Sequence, residues 1–271
     1  VVVVDGGVAG KEKTITILHT NDTHSQIFPI AADKGRWAGF GGYAKRAYLI
    51  DGIRAEGRGV LLFDSGDFSQ GTPYFNFFKG NIEVDAMGLM GYDAVTLGNH
   101  EFDNGVEELA RRVDRAEFPV LSANYDFSGS AMEGKTLPFK LFDVKGVKVG
   151  AFGLTINTRG MVDAANARGA VYKDPVACAQ WAADTLRALG ADVVVALTHL
   201  GEHSTPFYIG DDSLAAKTSG IDLILGGHSH TDGISTVRNK EGGEVTIVQQ
   251  ASQGRLLGRV DIPVKKKKRF P

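Results

Sequence analysis

Short apolar runs alternate along this chain with longer segments of helical period. Residues 14–18 are β-branched or leucine and predict a strand running into His19-Thr20-Asn21-Asp22-Thr23-His24. Within 42–56, Tyr43, Ala47, Ile50 and Ile53 recur at helical spacing. Val60-Leu61-Leu62-Phe63 reads as a buried strand ending in Asp64-Ser65-Gly66-Asp67. A helix over 82–90, closed by Gly91, leads to a strand over 93–97, then at once to Gly98-Asn99-His100-Glu101-Phe102-Asp103. A helix over 104–116 and a strand over 119–123, followed by Asn124, come next. Residues 139–144 and 147–154 read as a hairpin about Lys145-Gly146. Asp174-Pro175 opens a helix to Leu189, with proline in its first turn and Gly190 beyond its end. The apolar strand 192–197 ends in Thr198-His199, and after a short helix over 213–218 the strand 221–225 ends in Gly226-Gly227-His228-Ser229-His230. Residues 245–250 and 256–263 read as two late strands, and 33–39 and 69–73 as loops.

Strand–helix repetition of this kind predicts an α/β layered domain with largely parallel strands, a single domain over 14–264. Residues 1–13 read as a poorly ordered lead-in, and 265–271, with the basic run Lys265 to Arg269, as a solvated tail. The composition changes little in this picture. The chain has 271 residues, 43% apolar and 23% charged, and its 35 glycines suit many tight loops. A net charge of −2 gives no global field for a nucleic acid polymer. Cys178 is the one cysteine, so neither an intrachain disulfide nor a thiolate metal site is expected. No run approaches the ~20 apolar residues of a membrane span. The first residue is Val1 rather than Met, so the chain reads as processed or trimmed.

Five of these strand ends carry the same kind of side chain: Asp22 and His24; Asp67; Asn99 and His100; His199; His228 and His230. Ligands bind outside the carboxyl ends of strands in open α/β sheets. Singly, each residue has an ordinary explanation as a cap, turn or solvated loop residue. Jointly they do not, because five of the seven histidines fall directly after apolar strands. The pairs spaced i, i+2 share a face if the backbone stays extended. Carboxylate, amide and imidazole form a mixed O/N set suited to manganese, zinc, iron, nickel or cobalt. Apart from His100 there are seven candidates, enough for two divalent ions ~3.5–4 Å apart with one shared carboxylate. Asp67 is the natural bridge. Such a pair activates water and clamps a tetrahedral anion, the two needs of phosphate ester hydrolysis. His100 is placed to aid the leaving group, with Asp103 orienting its ring. His19 and His203 read as ordinary strand and loop residues.

In order along the chain, Asn21-Asp22-Thr23-His24, Gly66-Asp67, Gly98-Asn99-His100-Glu101, Thr198-His199 and Gly227-His228-Ser229-His230 resemble the calcineurin-like metallophosphatases. More narrowly, Leu18 to Asp22, Gly98 to Asp103, Ser122-Ala123-Asn124, Val248-Gln249-Gln250 and Leu257-Gly258-Arg259 resemble the N-terminal catalytic domain of the 5′-nucleotidases. The resemblance implies a four-layer α/β/β/α sandwich. It implies one metal at Asp22, His24, Asp67 and His230, and a second at Asp67, Asn99, His199 and His228. It implies that His100, paired with Asp103, acts on the transition state, and that Asn124 reaches the substrate phosphate. The last ligand position is often an amide among these nucleotidases and is His230 here.

The resemblance also implies a second, C-terminal domain that grips phosphate and base. This chain stops at Phe270-Pro271, so the expectation is hydrolytic machinery whose specificity comes from elsewhere, such as a separately encoded substrate-binding protein. Arg36 and Trp37 are assigned to the surface, with substrate contact as a second reading. The expected activity is hydrolysis of nucleotide phosphate esters, chiefly 5′-monophosphates, in the periplasm or outside the cell. The alternatives are a 2′,3′-cyclic phosphodiesterase, UDP-sugar hydrolase or other related ester hydrolase, and a non-catalytic binding module of the same fold.

Overall fold

The computed structural model of the chain describes residues 2–4 and 13–264. The first half contributes β1 (Val2–Val4), β2 (Lys13–Thr20), α1 (Tyr43–Arg54), β3 (Gly59–Asp64), α2 (Pro73–Phe78), α3 (Asn81–Met90), β4 (Ala94–Thr96), α4 (Val106–Arg115) and β5 (Val120–Leu121). Past these come β6 (Tyr125–Asp126), the hairpin β7 (Phe139–Val144) and β8 (Val147–Thr155), β9 (Val171–Tyr172), α5 (Pro175–Ala188) and β10 (Val193–His199). The chain continues through α6 (Asp211–Lys217), β11 (Leu223–Leu225), β12 (Asp232–Arg238), β13 (Glu244–Gln250) and β14 (Gly258–Val264).

Two six-stranded sheets result, in the orders β1-β14-β2-β3-β4-β5 and β12-β13-β11-β10-β8-β7. Strands β2 to β5 run parallel, as do β8, β10, β11 and β13. The antiparallel partners are β14 on β2, β7 on β8 and β12 on β13. The last two pairs place β7 and β12 at the edges of the second sheet.

Successive strand side chains point to opposite faces, and the buried residues sort by that rule. Leu61 and Phe63 of β3 join Val193, Val195 and Leu197 of β10 in one cluster between the sheets. Leu62, of opposite parity, packs with Ile50 of α1, Met87 of α3 and Leu109 of α4. Val194 and Ala196 turn the other way, onto Ala179, Ala182 and Leu186 of α5. The fold is thus an α/β/β/α single domain. Each fully buried Leu, Val or Phe contributes ~1.5–3 kcal/mol, so the three clusters dominate its stability. Gly153 of β8 permits the close approach of the sheets near the site: a Cβ there would lie 2.1 Å from the Leu121 carbonyl oxygen.

Local signals explain most boundaries. Asp174 caps α5, accepting from Ala177 N at 2.7 Å. Lys145 (φ 53°) and Gly146 (φ 80°) make the left-handed turn that a two-residue hairpin needs. Three readings differ from the structure. Val2–Val4, inside the expected lead-in, pairs in parallel with β14; the rest of 1–12 and the basic tail 265–271 lie outside the described residues. Helix α2 lacks a period because Tyr74, Phe77 and Phe78 leave only Phe75 buried. Strand β12 escapes notice because no position on it is fully buried; its antiparallel register with β13 holds it. No helix among the described residues is long and apolar enough to cross a membrane.

Candidate metal centre

The five ligand-bearing stretches follow β2, β3, β4, β10 and β11, and so come from both sheets. They meet at the carboxyl edge, across the seam between the sheets. Two groups of side chains converge there with their ligand atoms within 4.8 Å of one another: Asp22, His24 and His230, and Asp67, His199 and His228. In the first, His230 Nε2 lies 3.3 Å from Asp22 Oδ1 and 3.0 Å from His24 Nε2. In the second, His199 Nε2 lies 3.0 Å from Asp67 Oδ2. The groups touch, since His199 Nε2 is also 3.9 Å from Asp22 Oδ1. Asn99 Oδ1 is 3.0 Å from His228 Nδ1 and joins the second group.

The pairs spaced i, i+2 do not share a face by extended alternation. Asp22 (φ 49°), His24 (φ 48°), His228 (φ 76°) and His230 (φ 56°) are all left-handed, as are Ser25 and Asp67. Such backbone is costly for residues with a Cβ and persists where the surroundings fix it. Here the loops after β2 and β3 are zipped together by Asp22 N to Gly66 O (2.9 Å), His24 N to Asp67 O (3.0 Å) and Ser25 N to Phe68 O (3.0 Å).

Hydrogen bonds set which ring nitrogen faces the centre. His199 Nδ1 donates to the Ser65 carbonyl at 2.7 Å, which turns the buried Nε2 toward two carboxylates. A carbonyl behind the far nitrogen is the usual support of a metal-bound histidine. Burial opposes charge on His199, yet Asp67 and Asp22 raise its pKa to about 10. The carboxylate pair therefore draws positive charge to this spot, and divalent cations fit it. Burial and the neighbouring His199 push His228 down to about 4, and burial lowers His24 against the pull of Asp67 and Asp22, so charge is disfavoured on both rings. Burial would raise Asp67, but His199, His100 and His24 hold it well below the usual carboxylate range.

His100 stands apart. Its Nδ1 is 2.7 Å from Asp103 Oδ2, and that bond raises its pKa. The ring lies 5.6 Å from that of His24, at the mouth of the centre, while its backbone N donates to Asp67 Oδ1 at 2.9 Å. Histidines whose pKa is lowered and a histidine whose pKa is raised thus sit side by side.

Several supports went unassigned in the sequence. Glu101, fully buried, accepts from Gly98 N (2.6 Å), Asp67 N (2.9 Å), Ser69 N (3.1 Å) and Ser69 Oγ (2.7 Å). Arg112 of α4 ties this knot to the helix layer through Ser69 Oγ at 3.0 Å and the Glu101 carbonyl. Gln249 accepts from Thr231 N and donates to Gly227 O, bracing the turn that carries His228 and His230. Asn21 donates to Asp22 Oδ2 at 2.7 Å. Glu101 and Gln249 lie within the quoted motifs, which is the one signal that points to them.

Asn124 braces two strands. Its amide donates to Thr155 O (2.7 Å) and accepts from Thr155 N (2.9 Å), and it is fully buried. It joins the loop after β5 to the end of β8. His19 is buried between strands, pushed down to about 3 by burial, and belongs to neither ligand group. His203 lies outside the centre beside Asp212.

Known proteins resemble this chain in sequence and fold. Residues 15–232 match the family described as calcineurin-like phosphoesterase. The snake venom 5′-nucleotidase of Crotalus adamanteus is 36% identical over 94% of this chain and 46% of its own length. Among solved structures, the 5′-nucleotidase precursor of Thermus thermophilus superposes with a TM-score of 0.84 at 35% identity, over 93% of this chain and 52% of that one. The calcineurin-like phosphoesterase YfkN of Bacillus subtilis gives 0.78 at 29% identity, over 95% and 87%. The chain spans about half the length of the curated 5′-nucleotidases it matches. Matching along most of its length, and with both ligand groups in place, the chain belongs to the calcineurin-like phosphoesterases.

Proposed function

We propose that the chain hydrolyses phosphate monoesters of nucleotides, 5′-nucleoside monophosphates first among them, at a centre for two divalent cations. The observation that carries this reading is the convergence of two ligand groups on one edge, with Asp67 facing the histidines of both. One cation is assigned to Asp22, His24, Asp67 and His230, the other to Asp67, Asn99, His199 and His228. Bound there, two divalent cations supply a water that ionises near neutral pH and a clamp for the tetrahedral phosphoryl group.

The chain's own residues supply the rest. Asp67, 3.0 Å from His199 and within electrostatic reach of His24, would serve both groups. His199 is held by the Ser65 carbonyl, so its Nε2 faces inward. His100, oriented through Nδ1 by Asp103, presents Nε2 at the mouth of the centre. In hydrolysis the water oxygen bonds to phosphorus as the ester P–O bond breaks, and the departing alkoxide takes up a proton. His100, whose pKa the bond to Asp103 raises, is suited to stabilise that charge and deliver the proton.

The proposal extends to a substrate-binding domain, in the same or a separate polypeptide, that reads the nucleoside. The greater length of the 5′-nucleotidases it resembles supports this part. We place the protein in the periplasm or outside the cell, on its likeness to a venom nucleotidase. The test is steady-state hydrolysis of AMP by the manganese- or zinc-loaded chain, against an aryl phosphate and an aryl phosphodiester. A kcat/KM favouring AMP supports the nucleotidase reading. Preference for the diester moves the protein to the phosphodiesterases, and no turnover of any of the three overturns it.

A further inference from the structure

A second cleft opens beside the metal centre, walled by the loops after β2 and β13: Gln26, just past His24, and Gln253, whose backbone N donates to the Asp22 carbonyl at 2.6 Å. Its volume is about 560 Å³, within the usual range for small-molecule sites. Lys34, Trp37 and Arg255 line it, and no carboxylate does. Arg255 stacks on Trp37, its Cζ 5.3 Å from the ring centroid, and Arg36 lies over the same ring at 4.8 Å.

This gathering of like charge has no internal counterion. Among the described residues, Lys34, Arg36 and Arg255 form no ion pair, although surface cations commonly find one. Arg255 is nevertheless held in place, by the indole and by a hydrogen bond from Nη2 to Gln253 Oε1. Its Nε is buried and without a hydrogen-bond partner. A guanidinium held on an indole, lining a cleft and without a carboxylate partner, is suited to an oxyanion, and guanidinium geometry matches phosphate. Two residues of chain span at most ~7 Å, so Arg255 stands within one nucleotide's reach of the loop that carries Asp22.

We propose that this cleft binds a second, non-scissile phosphate of the substrate, so that the chain favours nucleotides bearing two phosphates over simple phosphate esters. Arg255 is the main contact, Lys34 adds charge, and Trp37 positions Arg255. The inference rests on the phosphoesterase reading above and assigns it a substrate class.

Trp37 offers a direct reading, because the chain has two tryptophans and Trp181 lies on α5 in the other helix layer. In the metal-free Trp181→Phe protein, inorganic pyrophosphate should change Trp37 emission saturably. Arg255→Ala should weaken that affinity roughly ten- to a hundredfold, the scale of a lost charge-assisted hydrogen bond. Lys34→Ala, an exposed change that leaves the fold intact, should weaken it less. In the metal-loaded enzyme, the ratio of kcat/KM for ADP to that for an aryl phosphate should fall about tenfold in Arg255→Ala. No saturable response, or a response equal in both variants with an unaltered ratio, overturns the proposal. A protein quenched by pyrophosphate but inactive on every ester would sink the phosphoesterase reading and keep the cleft; the reverse pattern would sink the cleft alone.

Discussion

Asp67 bears the largest demand placed on one side chain here. It lies 3.0 Å from His199, accepts the His100 backbone N–H, and is shared between the two proposed ions. Asp67→Asn is therefore expected to lose both ions together, which metal analysis of the purified protein would read. Retention of one tightly held ion per chain would remove the bridging role. His100 carries a different expectation, since it is outside both ligand groups. His100→Ala should keep the metals while turnover falls roughly 10²- to 10⁴-fold, the scale of acid–base assistance. Unaltered turnover would take His100 out of the mechanism. At this scale the sequence was legible where chemistry is carried by scarce residue types. Histidine and aspartate after apolar strands stood out, whereas Glu101 did not, because a buried carboxylate serving backbone N–H groups has no distinctive spacing. Asn124 was ambiguous for a related reason: an amide after a strand suits a ligand and a backbone brace equally, and the bracing bonds to Thr155 are visible only in the structure.

Among elements, the turns after the strands do the positioning. Extended backbone was the wrong premise for Asp22/His24 and His228/His230, because left-handed φ depends on the hydrogen bonds of neighbouring loops rather than on residue type. The Glu101 knot is what holds the β3 and β4 turns together. Glu101→Ala leaves four donors without their acceptor, and should cost about 2–5 kcal/mol in thermal or denaturant unfolding, with weaker metal binding. Full stability in that variant would mean water replaces the carboxylate at no cost. The pairing of β14 with β2 gives a pH-dependent case. Burial would raise Asp261, but the Thr16 hydroxyl and the Arg259 and Arg58 guanidinium groups hold it below its ordinary value. A carboxyl whose folded pKa is depressed adds stability above its unfolded pKa, and that part is lost as pH falls through the folded value. Asp261→Asn should therefore lose about 1 kcal/mol at neutral pH and less at about pH 3. Parallel loss of stability by both proteins across that range would show that Asp261 contributes nothing to the acid limb.

For the molecule as a whole, the strand–helix order was readable because both sheets are buried on two faces, which gives continuous apolar strands. Strand β12 and helix α2 were not, since neither contributes a full apolar face to the core. The two-sheet arrangement has a functional consequence: no single sheet carries the centre. Asp22, Asp67 and Asn99 come from one sheet, and His199, His228 and His230 from the other, so the centre forms only when the sheets pack. Close packing at Gly153 is part of that, because any Cβ there would strike the Leu121 carbonyl.

The central claim is a phosphoesterase centre for two ions, and titrating activity against bound metal tests it most directly. Manganese or zinc would be added to the chelator-stripped chain in known equivalents while phosphate release from AMP is followed. The account predicts that turnover rises to a plateau at two ions per chain. A plateau at one ion, or two bound ions with no phosphate released, would contradict it.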